Sequence, residues 1–187
     1  SFFPLALKTK GFRLIYVDAF AGTGEVLLAE ADAPMLPGIA PEREAIDGSA
    51  VRALRATVPF DEYVFIEESK SKLAALKKQL ARQFPSRIDR CRFECEDANE
   101  AIKTICAQTN WIKSRAVVFL DPFGNQIEWA TLVTLAETRG ADVWYLFPSG
   151  LGIYRQIPKE GSPQAKAAES VDLVPPYLRV VELSAWL

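Results

Sequence analysis

The chain contains no histidine, a single methionine, three cysteines and no long apolar run. Without histidine, serine and cysteine hydrolases of the usual His-assisted kind are excluded, because their nucleophile needs an imidazole to take its proton. Three cysteines, an odd number in a chain of 187 residues, argue against a disulfide framework. Cys91 and Cys95 lie on a strand-like stretch, Cys106 lies further on, and there is no C-x-x-C pair. Zinc and iron–sulfur sites therefore have no support, and no metal is expected. No segment approaches the roughly 20 apolar residues that span a bilayer, and SFFPLALKTK lacks the charged-then-apolar order of a secretory signal. A cytosolic protein with no membrane partner is the expectation. An excess of one charge is missing too: the net charge is −2, so contact with nucleic acid needs a local basic patch.

What is present suits one compact domain with a proper core, at 49% hydrophobic and 25% charged residues. The chain begins at Ser1 rather than methionine, which points to a piece of a longer protein. Its most informative stretch is residues 13 to 25, RLIYVDAFAGTGE. The apolar β-prone run Leu14 to Val17 meets Asp18, and Gly22 and Gly24 follow with one residue between them. That is a buried strand breaking into a glycine turn, where positive φ is tolerated and a ligand can approach the backbone. A phosphate-binding P-loop would need Lys-Ser or Lys-Thr after the second glycine, where Glu25 stands. A dinucleotide fingerprint would need a third glycine at position 27, which is Leu27, and Glu25 would repel its pyrophosphate. The remaining ligand reading is the acidic strand end and G-x-G turn of S-adenosylmethionine (SAM) methyltransferases, whose ligand carries an ammonium and a sulfonium that carboxylates attract. A tight strand-to-helix turn with no ligand stays open beside it.

Along the rest of the chain, residues 2 to 10 suit the end of a helix. Residues 26 to 47, interrupted by Pro34, Pro37, Gly38 and Pro41, read as a loop insertion that can act as a lid or a contact surface. A helix capped by Asp47 or Ser49 presents Val51, Leu54 and Val58, and Pro59 ends it. Tyr63 to Ile66 reads as a strand buried on both faces. Leu73, Leu76, Leu80 and Phe84 mark a helix over 69 to 84. A strand at Arg92 to Cys95, a helix from Glu100 to Gln108, a strand at Ala116 to Leu120, a helix from Ile127 to Thr138 and a strand from Asp142 to Phe147 complete the alternation. The tail from Leu151 is polar over Arg155 to Ala168, with one further strand expected at Leu178 to Leu183. Strand–helix alternation predicts a doubly wound, mostly parallel α/β sheet, Rossmann-like, in a single domain over 1–187.

The predicted strands end in Asp18, Glu67, Asp97 and Asp121, and the last in Pro148-Ser149-Gly150, so polar groups collect at the carboxyl edge where open α/β sheets bind ligands. Glu67 can accept hydrogen bonds from both ribose hydroxyls of a nucleoside, or it can serve as a solvated helix cap. Asp97, with Ala98 beside it, can accept from an adenine amino group, or it can cap the helix that follows. Asp121-Pro122-Phe123-Gly124 can hold the chemistry: Asp121 accepts a hydrogen bond from the acceptor's amino group and Phe123 stacks on a base, with a rigid capped turn as the bland alternative. Between Lys70 and Arg92, the basic residues Lys70, Lys72, Lys77, Lys78, Arg82, Arg87, Arg90 and Arg92 outnumber the single acidic Asp89. They read either as a solvated helix face or as a nucleic-acid contact through Lys70, Lys72, Lys77, Lys78 and Arg82.

Five segments in order, YVDAFAGTGE, GSA at 48 to 50, YVFIEE at 63 to 68, FLDPFG at 119 to 124 and LFPSG at 146 to 150, resemble the three-Cys-motif partner family over residues 13 to 150. These are bacterial proteins with a SAM-methyltransferase-like fold whose genes neighbour that of a radical-SAM-like protein with a three-cysteine motif. The resemblance implies SAM as cofactor, with Asp18, Phe20, Gly22 and Gly24 at its amino-acid end, Glu67 at the ribose, Asp97 and Ala98 at the adenine, and Asp121, Pro122, Phe123 and Gly124 as the catalytic edge. It also implies a three-cysteine-motif protein as partner, since Cys91 and Cys95 have no third cysteine in that pattern. DPFG departs from the Asp-Pro-Pro-aromatic of adenine and cytosine amino-methyltransferases by moving the aromatic residue one place earlier. The function expected is methyl transfer, with nucleic acid as the favoured acceptor; the alternative is a SAM- or nucleoside-binding module that acts only through its partner protein.

Overall fold

The computed structural model describes residues 2–27, 45–124 and 126–146. Helix α1 (Phe2–Thr9) leads into the central strand β1 (Arg13–Asp18), whose last five residues are all buried. The remaining sheet strands are β4 (Glu62–Ile66), β5 (Cys91–Glu94), β6 (Ser114–Leu120) and β7 (Ala141–Tyr145). They pair in the order β5-β4-β1-β6-β7, and every pairing is parallel. Helices α2 (Ser49–Arg55), α3 (Lys70–Gln83), α4 (Ala98–Gln108) and α5 (Trp129–Glu137) form the connections. This is the doubly wound α/β architecture that the alternation of elements predicts.

Side-chain alternation on the strands sorts the core into two layers. Leu14 and Tyr16 of β1 join Tyr63 and Phe65 of β4 against Val51 and Leu54 of α2 and Leu73, Leu76 and Leu80 of α3. Ile15 and Val17 join Val64, Ile66, Val118 and Leu120 against Ile102 and Ile105 of α4 and Leu132 and Leu135 of α5. Burial on both faces explains why β1 and β4 read as unbroken apolar runs rather than alternating ones. Ser69 starts α3 by accepting the Lys72 amide, and the basic residues of that helix lie on its exposed side. Among the described residues no helix is long and apolar enough to cross a membrane.

Chain order reverses direction between β1 and its neighbours. From β1 the chain builds outward through β4 and β5, then crosses to the other side for β6 and β7. The crevice at the carboxyl ends of β1 and β6 is thus the switch point where sheets of this kind bind ligands.

Two expectations change in detail. The insertion over 26–47 is not loop at its ends: β2 (Glu25–Leu27) and β3 (Ala45–Asp47) pair antiparallel, with Val26 opposite Ile46. Residues 28–44 lie outside the described residues, as do Pro148-Ser149-Gly150, the polar stretch 155–168 and the strand expected at Leu178 to Leu183. The helix expected to run up to Pro59 stops at Arg55, and neither Asp47 nor Ser49 caps it. Gly48 occupies the cap position without a side-chain bond, because both candidates bond elsewhere: Asp47 takes an ion pair from Arg55, and Ser49 turns to Asp18.

Candidate functional site

The turn after β1 sits astride both neighbouring strands. The Ala19 amide donates to the Phe119 carbonyl at 3.0 Å, and the Ala21 amide donates to the Ile66 carbonyl at 3.0 Å. This double tether fixes the path of the glycine turn at the switch point. Gly22 and Gly24 both take positive φ, +58° and +84°. Their surroundings differ. A Cβ on Gly24 would collide with Leu76 Cδ1 and Gln79 Oε1 at 2.7 Å, whereas one on Gly22 would meet nothing within 4 Å. Gly24 therefore serves helix packing, and Gly22 faces open space where a ligand can lie against the backbone. Gly48 belongs to the same junction, since its amide donates to the Gly24 carbonyl at 2.9 Å.

Asp18 is fully buried. Its Oδ2 accepts the Ser49 hydroxyl at 2.5 Å, while Oδ1 is buried with no hydrogen-bond partner. Period-two alternation places Asp18 on the same sheet face as Tyr16, toward α2, which explains why Ser49 reaches it. Burial pushes the Asp18 carboxyl up to about 6; the Ser49 hydroxyl and the Phe20 amide oppose that rise, and the charge of Asp121 adds to it. A carboxylate buried to this degree is costly unless donors or a cation meet it, and Ser49, Phe20 and Tyr16 meet it only in part. The unpartnered Oδ1 at the start of the turn that carries open Gly22 is the feature of this edge that suits a cationic group.

The other strand ends are engaged to different degrees. Half-buried Glu67 follows β4, and its Oε1 accepts the Ser69 amide at 2.8 Å ahead of α3. Asp97 is exposed and caps α4: Oδ1 accepts the amides of Asn99 at 2.8 Å and Glu100 at 3.2 Å. The capping alternative thus describes what Asp97 does in the ligand-free fold, and each carboxylate keeps its second oxygen outside these bonds. Ala98 is buried beneath this turn. Asp121 is exposed at the end of β6, yet the surrounding strand ends desolvate its carboxyl enough to raise it above the usual range. Pro122 is buried, Phe123 is 88% exposed, and Gly124 has φ +85° with open space around it. An exposed aromatic ring beside a carboxylate at the switch point can stack on a planar acceptor.

The structure joins these residues through the register of the sheet. Asp18 pairs with Phe65, two residues before Glu67, and with Phe119, two residues before Asp121. Asp18, Phe20, Gly22, Glu67 and Asp121 thus share one edge, and Asp97 lies one strand further out, after β5. Sequence reasoning missed the role of Ser49 as the partner of Asp18 and passed over Asn99. Asn99 is buried, and the spacing Asn99, Ile102, Cys106 puts it on the apolar face of α4, which is a readable signal. Burial pushes the Cys91 and Cys106 thiols up to about 11, so neither is a nucleophile at neutral pH. Among the described residues no three His, Cys, Asp or Glu side chains group as metal ligands.

No protein-family description and no curated protein matches the chain. Solved structures that share its outline include a conserved hypothetical protein of Streptococcus pyogenes, at 17% identity and TM-score 0.43, covering 74% of this chain and 68% of that one. A DUF519 protein of Legionella pneumophila matches at 14% identity and TM-score 0.45, over 72% of this chain and 57% of its own. The Escherichia coli protein yhhF, provisionally described as a methyltransferase, matches at 18% identity and TM-score 0.38, over 72% and 57%. The chain thus spans between 57% and 68% of the length of these three structures.

Proposed function

We propose that this chain binds S-adenosylmethionine at the carboxyl edge of β1, β4 and β5 and directs its methyl group to a nitrogen of a nucleic-acid base at the edge of β6. The observation that carries the reading is Asp18, wholly buried at the switch point with Oδ1 lacking a partner, four residues ahead of the open Gly22 in the same turn. The residues fit a cationic nucleoside: Asp18 and the turn through Phe20, Gly22 and Gly24 take the amino-acid end, Glu67 the ribose, and Asp97 with Ala98 the adenine. When bound, the cofactor supplies an electrophilic methyl on a sulfonium. Asp121, raised by desolvation, accepts a hydrogen bond from the acceptor's amino group and aims its lone pair, while Phe123 stacks on the base. The exposed Lys70, Lys72, Lys77, Lys78 and Arg82 supply phosphate contacts. A three-cysteine-motif protein is the proposed partner.

Calorimetry with SAM tests the pocket. Binding is expected in the wild type, weakened about tenfold or more in Glu67→Ala, which loses charge-assisted bonds to the ribose. Equal affinity in the two proteins refutes the assignment of Glu67, and no binding at all refutes the pocket. Transfer of labelled methyl from SAM to DNA, RNA or protein then separates the enzyme from a binding module. Activity that survives Asp121→Ala removes Asp121 from the chemistry.

A further inference from the structure

The turn that presents Phe123 is not fixed by its own strand alone. Its backbone amide donates to Gln126 Oε1 at 2.8 Å, and the Gln126 carbonyl accepts from Asn99 Nδ2 at 3.0 Å. Asn99 sits in the first turn of α4, directly after the cap residue Asp97 and Ala98, and its own amide donates to Asp97 Oδ1. Its other side-chain atom, Oδ1, accepts the Glu128 amide at 2.9 Å and the Thr131 hydroxyl at 2.8 Å. One buried side chain therefore meets the loop after β6 and the start of α5 with donor and acceptor both used. Lys103 repeats the junction at the surface, bridging Glu100 of α4 at 2.9 Å and Glu128 at 3.1 Å.

We infer that Asn99 is a positioning residue that holds the acceptor-side turn Asp121–Gly124 in register with the cofactor-side turn at Asp97, acting through Gln126 on Phe123. The inference rests on the proposed function for the meaning of the two sides, while the relay itself rests on three hydrogen bonds, Asn99 to Asp97, Asn99 to Gln126 and Phe123 to Gln126. Its chemistry accounts for the choice of an amide. A carboxylate at 99 has no donor for the Gln126 carbonyl, and an apolar residue would leave that carbonyl, the Glu128 amide and the Thr131 hydroxyl without their partner. A ligand that orders the Asp97 turn stiffens the platform for the acceptor through the same bonds, so the two sites are coupled without contact between their occupants.

Amide hydrogen exchange of Phe123, normalised to the Val64 amide in the core, tests the relay in the ligand-free protein. Gln126→Ala and Asn99→Asp are both expected to speed it about two- to tenfold, the equilibrium worth of one hydrogen bond. Thr131→Val, which leaves the Asn99–Gln126 bond in place, is expected to stay near the wild-type rate. Unchanged normalised exchange in Asn99→Asp overturns the relay, and so does a uniform acceleration of all amides, which marks Asn99 as a core residue only. Where Asn99→Asp does not fold, the scalar coupling across the Asn99 Nδ2 to Gln126 carbonyl bond in the wild type decides, its absence counting against the relay. Repeating the exchange with SAM should slow Phe123 in the wild type and not in Asn99→Asp; equal slowing in both overturns the coupling. Failure of SAM to bind the wild type refutes the pocket instead and leaves the relay to the ligand-free exchange.

Discussion

Replacing Asp18 by asparagine should make the ligand-free protein more stable at neutral pH and, under the proposed function, weaken its binding of SAM. The carboxyl rises from 3.8 in the open chain to about 6 in the fold, chiefly through burial. The folded state therefore holds the proton more tightly than the unfolded chain does. Folding is favoured by protonation, and stability falls as the pH climbs from about 4 to about 6. Above that window the buried charge weakens the fold by on the order of 3 kcal/mol, at 1.36 kcal/mol for each tenfold change in proton affinity. Asparagine keeps an acceptor for the Ser49 hydroxyl and removes the charge, but its amide donors lack a partner, which costs about 1–3 kcal/mol. The net expectation at pH 7.5 is a gain of up to about 2 kcal/mol, or a rise in Tm of up to roughly 8 °C for a chain of this size. At pH 4.5 the wild-type carboxyl is mostly protonated, so the advantage should vanish or reverse. Differential scanning calorimetry of the two proteins across this range isolates Asp18 and its coupling to Asp121, because contributions from carboxylates it does not interact with cancel in the difference. Calorimetric titration with SAM at pH 7.5 should show a loss of about tenfold or more, the worth of a charge-assisted contact. A variant equally destabilised at both pH values refutes the claim that the charge is costly, and unchanged SAM affinity removes Asp18 from the pocket.

Three further outcomes follow from the same geometry. Gly48→Ala places a Cβ 2.8 Å from the Gly24 carbonyl oxygen and 2.9 Å from its carbon, and chemical denaturation should register a loss of about 1–3 kcal/mol. Arg139 holds φ +51° at the end of α5, exposed to solvent, so Arg139→Gly should raise the denaturation midpoint by a gain of about 1 kcal/mol or less; a loss would mean that its side chain contributes more than the backbone strain removes. Neutralising Lys77 and Lys78 on α3 should weaken binding to a DNA or RNA oligonucleotide and flatten its dependence on salt, measured by fluorescence anisotropy; a salt-independent isotherm assigns these residues to a solvated face.

The fold was legible because its signals are local. Leu14 to Val17 and Tyr63 to Ile66 read as runs with no polar break, as strands covered on both faces must, and Leu73, Leu76 and Leu80 mark α3 by spacing alone. β2 and β3 were not legible: each has only three residues, and their pairing joins segments separated by the proline-rich stretch 28–44. The strand-end carboxylates could be placed on one edge from chain order, yet their state could not. Ser49 reads as a helix cap, since its hydroxyl meets Asp18 only after a separation of 31 residues closes. Asn99 carries a helical-period signal that its small polar side chain hides among capping motifs, because its three side-chain partners, Gln126, Glu128 and Thr131, lie 27 to 32 residues further along the chain.

That difference in state decides which carboxylate is diagnostic. Glu67 and Asp97 each accept backbone amides that the fold itself supplies, so a protein with no ligand would have a structural reason to keep them. The fold also meets Asp18, through the Ser49 hydroxyl and more loosely the Phe20 amide and the Tyr16 hydroxyl, but its second oxygen is left without a hydrogen bond. A serine, asparagine or alanine at the end of β1 would avoid the desolvation, yet the chain buries a carboxylate there, within the field of Asp121, and leaves Oδ1 unmet. Two carboxylates sharing one edge disfavour each other's charge until a cation comes between or beside them, and a ligand that brings an ammonium or sulfonium relieves both the burial and the repulsion at once. Binding of such a ligand should therefore be tighter above about pH 6 than at pH 5, where Asp18 is largely neutral, while a neutral nucleoside such as adenosine should show little change over the same range. Calorimetry with the two ligands at the two pH values measures the contrast directly, and an equal pH response for both would place the cation away from Asp18.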